Sequence, residues 1–191
     1  NTTMNMDRLV IKQILGNEQV TQYYVVSLIG KTLVLLIAPI NTIVISYLTK
    51  RKERLTRSQF GKAVLAGGGV SLVFFVACQI GTPLFVWLFY RNLYESVKGI
   101  VTVVNLAQIL GLFSAFLFIL VLTFTDERWQ LWIQLAHFCI LLVSSVLAAR
   151  TYGMMGFAVA SLGANSLRVA AVVILGIVKA GKDKGDRNAD R

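Results

Sequence analysis

Seven residues carry side chains whose chemistry stands out against their surroundings: Asp7, Lys31, Gln134, His137, Ser161, Asn165 and Arg168. All but Asp7 lie inside long apolar runs. Ser161, Asn165 and Arg168 recur at intervals of four and three residues, which places them on one face of a helix. Gln130, Gln134, His137 and Ser144 follow the same rhythm in the preceding run, as do Tyr24, Ser27, Lys31, Ala38 and Thr42 in an earlier one, where Pro39 shifts the phase. Ser71, Cys78 and Thr82 align in another run, and Thr102, Asn105 and Gln108 share about a third of a helix circumference in the next.

A charge held at the middle of a bilayer costs about 2.5–3.5 kcal/mol or more, so such side chains face a cavity or a partner rather than lipid. Arg168 is sixteen residues into its run, near mid-depth. Lys31 lies nearer one surface and can extend its ammonium toward it. Asp7 is the only acid placed to neutralise either. A cavity left cationic suits an anionic substrate such as a lipid-linked phosphate or pyrophosphate. Arg168, Lys31, Asn165, Ser161 and Gln134 are therefore the candidate cavity residues. His137 is the sole histidine and, with Asp7, the candidate for coupling transport to protons or ions. The competing reading is packing, because small and polar residues also join helices within membranes.

No GxSxG, HExxH or P-loop pattern occurs. An enzyme is not expected, nor a metal or cofactor, and Asp126-Glu127-Arg128 reads as a solvated turn. Cys78 and Cys139 both fall in apolar runs without metal-ligand spacing, and both are expected to be buried.

The elements that position these residues follow from composition. Of 191 residues, 56% are hydrophobic and 15% charged, against about 25% charged in soluble domains. The chain reads as an all-α, polytopic membrane bundle. Expected membrane helices cover residues 22–49, 63–90, 100–125, 129–149 and 152–178, each reaching the roughly 18 residues that a crossing requires. Residues 1–16 are too short to span and read as either an interfacial helix or the end of a sixth, truncated helix that stops at Gly16-Asn17, and the chain is expected to be a fragment. Pro39 and Pro83 would kink their helices. Net charge is +10, yet the excess gathers at helix ends and no nucleic-acid motif appears.

Residues 50–62 hold six basic residues and one acid. With Arg128 and the tail from Lys179, that side carries twelve basic residues against five on the other. The 50–62 loop and the C-terminus are accordingly expected in the cytoplasm. Trp87, Tyr90 and Tyr94 would form the outer aromatic belt, and Tyr47, Trp129 and Trp132 the inner one. Residues 179–191 are almost devoid of apolar side chains and are expected to be disordered.

Two stretches resemble a known family. Asp7-Arg8-Leu9-Val10-Ile11 with Leu15-Gly16, Val20 and Tyr23-Tyr24-Val25-Val26 is similar to the junction of the seventh and eighth helices of O-antigen-type polysaccharide flippases, within the multidrug, oligosaccharidyl-lipid and polysaccharide exporter superfamily. Gly153-Met154-Met155-Gly156-Phe157-Ala158-Val159-Ala160 followed by Asn165 resembles that family's last helix.

The resemblance implies the C-terminal lobe of a twelve-helix transporter in a bacterial inner membrane. It would flip undecaprenyl-pyrophosphate-linked oligosaccharides by alternating access for lipopolysaccharide and other surface polysaccharides. Its partners would be the missing N-terminal lobe, membrane lipids and the polysaccharide polymerase machinery. A drug or metabolite exporter of the same superfamily and a non-transporting membrane scaffold are the alternatives.

Overall fold

A computed structural model describes residues 3–50, 56–122, 125 and 127–180, and among them every regular element is helical. The elements are α1 (Thr3–Leu15), α2 (Asn17–Lys50), α3 (Arg57–Phe89), α4 (Arg91–Val97), α5 (Val101–Leu122) and α6 (Glu127–Lys179). Three described segments are long and apolar enough to cross a membrane: Arg57–Phe89, Val101–Leu122 and Arg128–Lys179. In lipid, the helix is one of the few forms that pair every backbone group internally.

α1 ends where the sequence predicts. Gly16 has φ +96°, and its amide donates to the Lys12 carbonyl at 3.2 Å, a left-handed helix cap that glycine adopts without steric cost. Beyond it the chain reverses. Arg8 of α1 stacks over Tyr24 of α2, 4.2 Å from the ring centroid. α1 is thus a short helix folded back on its successor and packed on α6 as well.

α2 and α3 run longer than expected. Pro39 and Pro83 lie inside them without interrupting either helix. α3 begins within the basic stretch because Thr56 and Gln59 form a capping box there, satisfying donors that a helix start leaves open. The interhelical part of the 50–62 stretch is correspondingly shorter; residues 51–55 lie outside the described residues, as does the expected disorder over 181–191. The expected loop at 91–99 contains the short helix α4.

α6 is a hairpin. A straight helix of its 53 residues would run about 80 Å. Instead, Gly153 takes φ 63° and ψ −144°, a conformation open essentially to glycine alone. His137 consequently meets Asn165, and Lys179 lies over the Trp129 ring at 5.7 Å. The reversal falls three residues beyond the expected break at Arg150, inside the apolar run. Residues 127–152 form the first limb and 154–179 the second.

α5 occupies the centre, packed by α2, α3 and α6. Two apolar clusters close the ends of the bundle. One gathers Ile11, Tyr23, Val25, Val26, Val86, Val104, Ala149 and Phe157, among others, around the Gly16 and Gly153 reversals. The other joins Phe60, Leu117, Leu120, Val121 and Val172 at the opposite end. Trp87 and Tyr90 lie exposed toward the first end, Trp129 and Trp132 toward the second. Cys78 is buried, but Cys139 is exposed, contrary to expectation. Apolar runs of this kind show the same composition on surfaces that face lipid as on surfaces that face neighbours, so composition does not separate the two cysteines.

Gly153→Ala should lower stability by about 1–3 kcal/mol. Gly163→Ala, where an added Cβ meets open space, should be neutral or slightly stabilising. Thermal unfolding of both variants in detergent compares them, and equal melting temperatures would contradict the assigned reversal.

Candidate functional site

Between the two apolar clusters lies a cavity of about 350 Å³. It is bounded by α1, α2, α5 and both limbs of α6. Every one of the seven residues singled out in the sequence lines it: Asp7, Lys31, Gln134, His137, Ser161, Asn165 and Arg168. Tyr23, Asn41, Gln108, Ser145, Phe138 and Phe157 complete much of the wall.

The folded-back α1 carries Asp7 to Lys31, whose Nζ lies 2.6 Å from Asp7 Oδ2. Their side chains are 17% and 16% exposed respectively. Asp7 is the acid that the sequence offered as a neutraliser, and Lys31 lines the cavity with its charge matched by that acid from another helix. Arg168 differs. Its guanidinium sits 5.4 Å from the Phe118 ring centroid, and no carboxylate pairs with it among the described residues. One uncompensated positive charge remains among the cavity-lining groups.

Asn165 ties three helical segments together. Its Nδ2 donates to the Ala107 carbonyl of α5 at 2.9 Å, and its Oδ1 accepts from His137 Nε2 at 3.1 Å. Gly111 makes room for it: a Cβ there would lie 3.3 Å from Asn165 Nδ2. Both ends of the amide are thus engaged within the protein, so Asn165 positions His137 and the second limb.

The polar stripes divide into two systems. On α3 and α5, Thr82 donates to Asn105 Oδ1 at 3.2 Å. Asn105 Nδ2 donates to the Cys78 carbonyl and to Gln79 Oε1, and Gln79 Nε2 donates to Thr102. These groups satisfy one another and serve packing. On α6, Gln134, His137, Ser161, Asn165 and Arg168 of the stripes line the cavity, whereas Gln130 does not. Of the α2 stripe Lys31 lines it, while Tyr24 lies under Arg8 and Ser27 donates to the Tyr24 carbonyl. Ser144 returns its hydroxyl to the Ile140 carbonyl at 2.6 Å, and its neighbour Ser145 lines the cavity instead. Thr42 is exposed while Asn41 lines the cavity, the shift of phase expected after Pro39.

Ser145, Asn41 and Tyr23 are polar lining residues that sequence reasoning passed over. The phase change at Pro39 was a signal that the α2 stripe would not continue to Thr42, but it did not single out Asn41. Gln108 was visible in the α5 stripe. No group of three or more His, Cys, Asp or Glu residues suited to a metal occurs among the described residues. No protein family model, curated protein or solved structure matches the chain.

Two measurements test this geometry. Asp7→Asn should cost about 1–3 kcal/mol by leaving the largely buried Lys31 ammonium uncompensated, and adding Lys31→Met should recover part of that loss. Additive effects in the double-mutant cycle would mean that the pair contributes nothing. Asn165→Leu should cost about 1 kcal/mol, the scale of hydrogen bonds between membrane helices. Its detergent-induced unfolding should match that of Asn165→Leu/His137→Phe more closely than additivity allows.

Proposed function

We propose that the chain is the C-terminal lobe of a transporter that flips lipid-linked oligosaccharides across a bacterial inner membrane. The single observation that carries the reading is the cavity between the two apolar clusters, in whose largely apolar wall Arg168 and polar groups from α2 and both limbs of α6 are gathered. A helix bundle whose only task was scaffolding would gain nothing from holding a cation and several polar side chains around a cavity at that depth. Packing accounts for the α3–α5 network, whose members satisfy one another, but not for the cavity.

The reading takes five crossings: α2, α3, α5 and the two limbs of α6. α1 stands in for the end of a sixth helix. The basic residues between α2 and α3 and at the C-terminal end face the cytoplasm in this arrangement. They are placed to meet anionic headgroups at about 1 kcal/mol for each basic residue. The N-terminal lobe would supply the opposing wall of the transport path, and rocking of one lobe against the other would alternate access to the two leaflets.

The cavity gives the path a graded chemistry. Asp7 and Lys31 neutralise each other on one side, Arg168 supplies the net charge, and aromatic side chains of Tyr23, Phe138 and Phe157 offer ring-sized apolar surfaces. Such a mixture accepts a hydrophilic headgroup while the lipid tail remains in the bilayer.

Arg168→Ala in the full-length protein should abolish or sharply reduce surface polysaccharide at unchanged protein level, read by gel analysis of lipopolysaccharide beside an immunoblot. Normal polysaccharide would overturn the role given to Arg168. Drug sensitivity with an intact polysaccharide profile would instead favour an exporter of small molecules.

A further inference from the structure

The cavity holds buried polar atoms without partners in the protein: Asn41 Oδ1, His137 Nδ1, Ser145 Oγ and Arg168 Nε. His137 is 7% and Ser145 2% exposed. Polar groups buried in this way are normally hydrogen-bonded, so several orphans around one cavity point to an occupant that bonds them. Their roles describe that occupant. Arg168 Nε only donates, while the Asn41 amide presents an acceptor or, turned over, a donor. His137 Nε2 donates to Asn165, which leaves Nδ1 as an acceptor in the neutral ring, and the Ser145 hydroxyl does either.

A phosphate or pyrophosphate diester offers acceptors alone. It would satisfy Arg168 but place oxygen lone pairs against His137 Nδ1. Charge argues the same way. Lys31 is matched by Asp7, so the cavity provides one cation from Arg168 against the dianion of a pyrophosphate diester. A hydroxyl both donates and accepts. A ring bearing several of them would bond Asn41, His137, Ser145 and Arg168 together, and its C–H faces would rest on Phe138 and Phe157, which also line the cavity. The volume, about 350 Å³, lies at the small end of ligand pockets.

We propose that this cavity is a subsite for one uncharged sugar ring, and that the phosphates of a glycolipid substrate are held elsewhere. The proposal rests on the flippase reading for the source of the ring, while the hydrogen-bond roles set its chemistry.

The test uses the full-length protein in lipid nanodiscs, with Cys78→Ala and Cys139→Ala removing the native thiols. A single cysteine is introduced as Ser161→Cys or, separately, as Gln134→Cys, and its reaction with a small water-soluble thiol reagent is timed. Millimolar glucose or N-acetylglucosamine should slow labelling at least threefold. Inorganic pyrophosphate at the same concentration should leave the rate within a factor of about 1.5. Adding Ser145→Ala should reduce the sugar protection without changing the unfolding temperature by more than a few degrees.

Protection by pyrophosphate equal to that by sugar overturns the proposal. So does labelling that no sugar slows, or failure of both cysteines to react at all. Loss of polysaccharide in Arg168→Ala without sugar protection would defeat the subsite and leave the flippase reading standing. Sugar protection with normal polysaccharide would do the reverse.

Discussion

A charged side chain held largely out of water is costly unless it is matched, and the way this chain matches Lys31 shapes the rest of the bundle. The acid that pairs with it lies twenty-four residues away in sequence, on α1. It reaches the ammonium only because Gly16 reverses the chain and lays α1 along α2. Arg8 over Tyr24 holds the same contact from the neighbouring position. With Lys31 matched, Arg168 becomes the cavity's uncompensated cation, softened by the Phe118 face rather than by a carboxylate. A largely buried ion pair is weak evidence of net stability. Here its consequence is placement: it adds a polar contact to a helix already packed on α2 and α6 through Ile11, and it sets the charge of the cavity beside it.

The bundle divides its polar groups by depth and by partner. Apolar clusters seal both ends, and polar groups gather between them. Those on the α3–α5 seam satisfy one another through Asn105, which joins the two helices as hydrogen bonds commonly do in membranes. Those around the cavity are left partly unsatisfied. Asn165 stands between the two classes, since its amide is fully engaged yet its bond to His137 decides which nitrogen of that ring faces inward. Gly111 is the counterpart on α5, because a larger residue there would press on the Asn165 amide.

Much of the site was legible in the residue pattern. Intervals of four and three residues put Ser161, Asn165 and Arg168 on one face, and the physical cost of a charge in lipid pointed that face inward. The same reasoning found Gln134 and His137. It failed for Ser144 and Ser145, because both lie close to the inward direction and only packing chooses between them. A serine can return its hydroxyl to its own helix, as Ser144 does, and the pattern gives no sign of that choice. Cys139 failed for a related reason: burial of an apolar residue cannot be read where lipid replaces water.

By itself the sequence determined the helical class, the approximate helix bounds, the helix stop at Gly16 and the separation of polar stripes from apolar surface. These follow from short-range rules: the length of an apolar run, helical periodicity and the conformational freedom of glycine. The tertiary structure decided what those rules cannot reach. It placed the second reversal at Gly153, paired Asp7 with Lys31, and brought stripes from separate helices around one cavity while committing the α3–α5 stripes to each other. Each of these depends on contacts between segments distant in the chain. Such contacts are selected by which side chains fit together and satisfy one another's charge and hydrogen bonds, and no local pattern records that choice.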